Sequence, residues 1–503
     1  MSGRLSTYAL VIVTPLLLAT AGCLESERGD NAAPDEARIL EPSLVYLDVT
    51  AYSYEPFQPW KQPDLAQWTG YGAAVGPYQV LTTAWNVRDA AFVKVRRHGQ
   101  NAFITAEIDV VDYESNLCLL SLDPNSAGAP LVPLTFSDNY EEGADVTAYW
   151  LSGAGQVQTA RGQLDRAEVQ NSTVSYTRSL QLIAKETGKD SGRGRLFMVG
   201  GEPVGLACWA DNNTGETGLI PGETILAFLA DAADGEYAGF AAEGFEAQVL
   251  RDPVLRRYLE MPDDLTDGIY VSKVYTLGTG AEKLKPGDVL LAINDQPIDA
   301  GGQFAHPVYR QLTYHYLLTR LHAGDPVRLS VWRDGRRMEM ETQARNFSAD
   351  EMLVPFYEHG YAPQYIITAG YVFQKLTRPY LTMWGDDWTG QVPPHLYQYY
   401  RNSMFSPTDE RQDIVLLSRI LPHPVNIGYH GLGMMVVKTI NGRPIRSLAD
   451  VQEVLQQSNP TGLDVVEFEE HRPTVVIPRD RLSEVNAQIA QIYGVDSLQR
   501  ILE

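Results

Sequence analysis

From Val45 to Leu229 the chain alternates short runs rich in Val, Ile, Leu and Tyr with breaks of Gly, Pro, Asn and Asp. QVLTTAWNV, FVKVRR, LCLLSLD, the alternation around Thr173 to Leu182 and PVGLACWA are such runs. Many short strands with turn signals and few helical periods restrict this half of the chain to an all-β barrel or sandwich. The full 503 residues are too many for one hydrophobic core and point to about three domains. The formal charge of −23 repels phosphate backbones, and no basic, aromatic-interleaved stripe offsets it, which excludes nucleic acid as a partner.

The N-terminus has the build of an export signal. Arg4 is the only charge before Glu25, and Tyr8 to Leu18 form an apolar core too short to span a bilayer. Thr20-Ala21-Gly22-Cys23 then resembles a bacterial lipobox, which implies lipidation of Cys23 and a lipid-anchored place on the cell envelope, facing the periplasm or the exterior. Residues 23–42 read as a polar, flexible tether. Beyond Cys23 only Cys118 and Cys208 remain; they either pair in an oxidising compartment or sit as buried free thiols. His306, His315, His322, His423, His430 and His471 show no paired-ligand spacing, so no metal and no cofactor is expected.

Three segments carry a resemblance. Gly70-Tyr71-Gly72-Ala73-Ala74-Val75 with Val80 to Val87, Val111 to Leu120, and Gly188-Lys189-Asp190-Ser191-Gly192-Arg193-Gly194 with Pro203 to Leu206 follow in order. They resemble the strand-and-turn, acid and nucleophile segments of the HtrA/Deg proteases. The resemblance implies a mainly β fold: a trypsin-like double β-barrel followed by two PDZ-like α+β domains. It places Trp85 where the family has its histidine, Asn116 where it has its aspartate, and Ser191 at the nucleophile. Indole N–H is a donor only and takes no proton from a serine, so the surviving Ser191 lacks its base. The oxyanion-hole N–H groups would come from Lys189 and Ser191. Lys185 or Lys189 could in principle serve a Ser-Lys dyad, but His98 is the sole histidine between Val45 and Leu229 and sits on a polar turn.

Residues 267–299, DGIYVSKVYTLGTGAEKLKPGDVLLAINDQPID, are similar to the core of a PDZ domain, with a helical period over 308–322. By that resemblance Gly244, Phe245 and Ala247 belong to a peptide-binding groove strand and its entry loop, which would add an extended C-terminus as a further strand. Ile367 to Leu381, Trp384 to Trp388 and Asn426 to Tyr429 resemble the second, divergent PDZ module of plant-type Deg proteases. Its aromatic density is expected to be core or interface. The expected layout is signal 1–22, tether 23–42, protease-like domain 43–232, first PDZ domain 238–346, second 360–480 and a helical tail 481–503.

Three functions remain in play. The first is a non-catalytic, homo-oligomeric HtrA-like protein that binds unfolded proteins or peptide C-termini as chaperone, adaptor or regulator. The second is an active serine endopeptidase with a non-standard site at Ser191. The third is a structural envelope scaffold whose PDZ units dock internally.

Overall fold

The computed structural model describes residues 32–188, 190–233, 235–469 and 474–501. The signal, Cys23, Lys189 and His471 lie outside them.

Strands Leu44–Ser53, Asp64–Gly76, Gln79–Thr82, Ala90–Arg97, Ile104–Asp112 and Leu117–Leu122 close a first barrel in the order first, second, third, sixth, fifth, fourth. Strands Asp145–Leu151, Val157–Asn171, Arg178–Glu186, Leu196–Val199, Glu202–Asp211 and Glu216–Pro221 close a second barrel. Its cyclic order is the same as that of the first, so one topology is used twice. Alternation along the strands drives closure: Val45, Leu47 and Val49 point inward at 0% exposure, whereas Phe92 and Leu65 on the outer face remain exposed. This is the trypsin-like double barrel.

Cys118 and Cys208 settle as free, buried thiols, one in each barrel core. Burial raises both pKa values, Cys208 to about 12. The disulfide reading is thereby corrected: each side chain is a small apolar filler of its own barrel.

The tether expectation also changes. Ala32–Leu40 forms a helix, Leu40 is buried in the barrel core, and Glu36 accepts a hydrogen bond from the Tyr149 hydroxyl at 2.6 Å. Leu40 and Ala37 on one face gave it something to bury, which the polar average of the segment concealed.

A first PDZ-type sheet follows, in the order Phe245–Val249, Ile269–Val274, Val289–Ile293, Pro326–Arg333, Arg336–Gln343. Where a helix was expected over 308–322, the chain makes a hairpin, Gln303–His306 with Arg310–Thr313, and only the short helix His315–Thr319. The apolar period there serves tertiary anchoring: Tyr309 and Tyr316 donate hydroxyl hydrogen bonds to Glu223 of the helix Gly222–Ala233, at 2.8 and 2.9 Å.

The last unit is one sheet running from Val475–Pro478 to Gln499–Arg500. The expected separate tail is part of it. Strand Gln499–Arg500 pairs with Tyr365–Thr368, and helix Leu482–Tyr493 buries Ile489 against the same sheet. This unit docks on the first barrel through the connection between the barrel's first two strands. Trp60 there is buried with Tyr365 and Ile367, and the Phe57 ring lies 5.0 Å from those of Tyr380 and Trp384. The aromatic density is thus core and interdomain contact. Among the described residues, no helix is long and apolar enough to cross a membrane.

Candidate functional site: a cleft filled by tryptophan and arginine

The cleft is built from turns that the two barrels present to each other. Thr83 caps the short helix Ala84–Val87 that follows the third strand, and this carries Trp85. Asn116 occupies the turn between the fifth and sixth strands at φ +60°, a left-handed position that Asn tolerates well. Its Oδ1 accepts the Trp85 backbone N–H at 3.0 Å, and its carbonyl accepts the Ala84 N–H at 3.1 Å. Asn116 therefore holds the backbone of the Trp85 turn and makes no bond to the indole.

Opposite stands the loop 190–195 of the second barrel. Arg195 is completely buried and fastens it: both terminal nitrogens reach Glu186, at 2.9 and 2.7 Å, and Nε donates to the Gly192 carbonyl at 3.2 Å. The Arg193 carbonyl accepts from the Tyr71 N–H at 3.0 Å and from Asn86 Nδ2 at 3.1 Å, joining loop to first barrel. Gly194 must be glycine, because a Cβ there would lie 2.0 Å from the Tyr71 carbonyl. Asp190 turns back on the loop: Oδ1 accepts the Gly192 N–H at 2.7 Å, and Oδ2 accepts the Tyr71 hydroxyl at 2.7 Å. Burial and that bond raise the Tyr71 pKa well above its ordinary value. A carboxylate holding a loop N–H is the reverse of an oxyanion hole, which offers free donors to developing negative charge.

The residue that meets Trp85 from this loop is Arg193. Its guanidinium carbon is 4.0 Å from the indole centroid, and that of Arg88 is 3.9 Å from the same ring. Arg88 also lies 4.3 Å from Trp68. Ser191 is exposed, and its hydroxyl bonds to no described residue. The structure brings Trp85 and Asn116 together through backbone hydrogen bonds, and Ser191 bonds to neither. Lys185 is held by Asp165 at 3.0 Å, and His98 pairs with Glu41 at 3.4 Å, so neither serves Ser191.

One histidine near the cleft was missed because it comes from almost three hundred residues downstream. His359 shares a cavity wall with Trp85; its Nδ1 is 3.3 Å from Asp89 Oδ2, and its ring lies against Tyr113 and Tyr357. Among the described residues no serine hydroxyl bonds to it. Arg195 and Glu186 were missed too; an Arg just after the nucleophile loop gives no hint in the sequence of a buried partner nine residues back. Beside the cleft, Glu114 accepts from the Tyr357 hydroxyl at 2.6 Å and the Ser175 hydroxyl at 3.1 Å. Burial, with Asp112 nearby, raises its pKa to about 7. No group of three or more His, Cys, Asp or Glu able to hold a metal occurs among the described residues.

In the first PDZ sheet, Phe245 is core, stacked on Tyr314 with centroids 6.0 Å apart, and Ala247 packs against that core. Gly244 and Ala242 spend their N–H groups on the Thr279 and Arg345 carbonyls at 2.9 and 2.8 Å. The Glu246 carboxylate takes the Tyr275 hydroxyl and, at 3.3 Å, Arg401 of the last unit. The outer edge of Phe245–Val249 has no ladder partner among the described strands, but its entry loop is already committed.

Two barrels of one topology facing a cleft, followed by PDZ-type sheets, define a trypsin-like double-barrel protein with PDZ modules. A family model for the PDZ domain matches residues 354–499. Over 485 residues the chain is 28% identical to Protease Do-like 2, chloroplastic, of Arabidopsis thaliana, covering 94% of this chain and 76% of that protein. It is 24% identical over 480 residues to Protease Do-like 4, mitochondrial, of the same plant, covering 94% and 88%. The solved HtrA-type protease AlgW with decapeptide covers 63% of this chain and 100% of its own, at 17% identity and a TM-score of 0.48. The chain thus carries a PDZ domain and is similar over nearly its whole length to the plant Do-like (Deg) proteases.

Proposed function

We propose that this chain is a non-catalytic HtrA/Deg homologue of the bacterial envelope. It is anchored through Cys23, assembles with copies of itself, and holds unfolded polypeptides or peptide C-termini as a chaperone, adaptor or regulator. The observation that carries the reading is Trp85 lying against Arg193. A donor-only indole stands at the base position, and a guanidinium, protonated at any working pH, meets it from the nucleophile loop. Serine attack needs a base to take the hydroxyl proton, and among the described residues none hydrogen-bonds to the Ser191 hydroxyl. The cleft between the barrels remains a place for an extended chain.

A second reading, internal docking of the first PDZ sheet, is favoured by the committed N–H groups of Ala242 and Gly244 and by the Arg401–Glu246 pair. It assigns polypeptide capture to the cleft rather than to Gly244, Phe245 and Ala247.

The test is incubation of the full mature chain, without lipid, with unfolded casein, beside Ser191→Ala. Casein held soluble and uncut by both proteins is the expected result. Cleavage that disappears in Ser191→Ala would restore the endopeptidase reading.

A further inference from the structure

Three largely buried arginines are neutralised, Arg195 by Glu186, Arg333 by Asp288 and Arg479 by Asp464, each within 2.7 Å, and Arg97 is held by the carbonyls of Ala127, Ala129 and Pro130. Arg88 and Arg193 have neither a carboxylate nor such a set of carbonyls. Both are half-buried, yet neither forms an ion pair with any described residue. Arg88 spends one terminal nitrogen on the Trp85 carbonyl at 2.6 Å, and Arg193 Nε is buried without a hydrogen-bond partner. Burial, followed by the Arg193 charge, lowers the Arg88 pKa to about 10, and burial lowers that of Arg193. Indole faces offset such a cost less than a paired, hydrogen-bonded carboxylate does.

Arg88 and Trp85 also line a cavity of about 740 Å³ between the first barrel and the last unit. Trp68, Tyr54, Phe356 and Tyr380 give it aromatic walls. Arg378 in the same wall lies 4.3 Å from the Phe356 ring, again without a carboxylate among the described residues. Asp89 is turned to the Gly360 N–H at 2.8 Å and to His359. The occupant must therefore supply carboxylates to the guanidiniums and side chains to the rings. A small free anion leaves the rings uncovered, and a neutral segment lacks the charge.

We propose that the Trp85 cleft and its adjoining cavity bind an acidic polypeptide segment, whose carboxylates pair with Arg88 and Arg193 and whose side chains cover the aromatic walls. This rests on the polypeptide-holding function proposed above and names the chemistry of what is held. The protein's net charge of −23 opposes an acidic ligand, so any preference for one must arise locally.

The experiment measures fluorescence anisotropy of two labelled decapeptides, one alternating Glu with Phe and Leu, the other with Gln in place of each Glu. The full mature chain, Arg88→Gln, Arg193→Gln and Arg88→Lys are compared, with unfolded casein retention run in parallel. The Glu peptide is expected to bind about tenfold tighter than the Gln peptide, the scale of one charge-assisted hydrogen bond. That preference should vanish in Arg88→Gln, weaken in Arg193→Gln and survive in part in Arg88→Lys, which keeps the charge and guards against misfolding. Equal affinity for the two peptides, or a preference that persists in Arg88→Gln, overturns the proposal. If neither peptide binds while casein is still held, the acidic-segment proposal fails and the holding function stands. If casein is not held either, both fail.

Discussion

Asn116 shows how much of a turn one side chain can hold. Its amide oxygen accepts the Trp85 N–H and makes no bond to the indole. Asn116→Ala removes that bond and leaves at φ +60° a residue that tolerates the left-handed region less well than Asn; a loss of about 1–3 kcal/mol in urea unfolding is expected. Arg195→Met leaves Glu186, at 3% side-chain exposure, without its partner, and should cost about 3–5 kcal/mol by the same measurement. Trp85→His places an imidazole beside the Arg193 guanidinium, which disfavours its taking a proton, and Asn116 supplies no carboxylate to stabilise an imidazolium. Casein hydrolysis by Trp85→His should remain at the level of a protein-free blank.

At the scale of elements, the turn 112–116 joins the cleft to the last unit through Glu114 and Tyr357. Burial first, and Asp112 second, raise the Glu114 pKa to about 7 in the folded chain. The folded state then holds this proton more tightly than the unfolded one. The group favours folding below the ordinary carboxylate range, and that contribution is lost as pH rises towards 7. Glu358 acts with the same sign, its pKa also raised to about 7 by burial. Glu114→Gln should flatten the fall in stability between pH 4.5 and 7 by about 1–2 kcal/mol, read from urea midpoints across that window. A slope unchanged in the variant would place the titration elsewhere.

What could be read in advance was set by local patterning. Alternation and turn residues narrowed the first half to an all-β barrel or sandwich, and the resemblance of short segments, such as Lys285-Pro286-Gly287-Asp288, supplied the double barrel and the PDZ turn; all of these are short-range signals. The helix Ala32–Leu40, the hairpin at 303–313 and the strand Gln499–Arg500 gain their stability from distant partners, so local pattern missed or misassigned them. At the cleft, the identities of Trp85 and Asn116 were legible and their contacts were not. That Arg193 rather than Ser191 faces the indole depends on how Arg195, Glu186 and Asp190 fold the loop, and these pairings span the barrel.

The whole molecule is tied together at one aromatic junction. Tyr176 of the second barrel stacks on Phe347 at 5.1 Å and touches Phe405 of the last unit at the same distance. The first PDZ sheet reaches that point through Thr276 and Leu277, whose N–H groups both donate to the Phe405 carbonyl. Phe405→Ala opens a cavity where these units meet and should cost about 3–5 kcal/mol. Faster amide exchange in the Tyr275–Leu277 turn than in either barrel core would confirm that the loss is interdomain.

The account stands or falls on whether Ser191 is an activated nucleophile. The direct measurement is intact-mass analysis after exposure of the folded mature chain to a serine-directed organophosphonate, with Ser191→Ala and urea-unfolded protein as references. No adduct beyond that of the unfolded protein is predicted. A stoichiometric adduct on the folded chain that is absent from Ser191→Ala would contradict the account and show that a base reaches this serine after all.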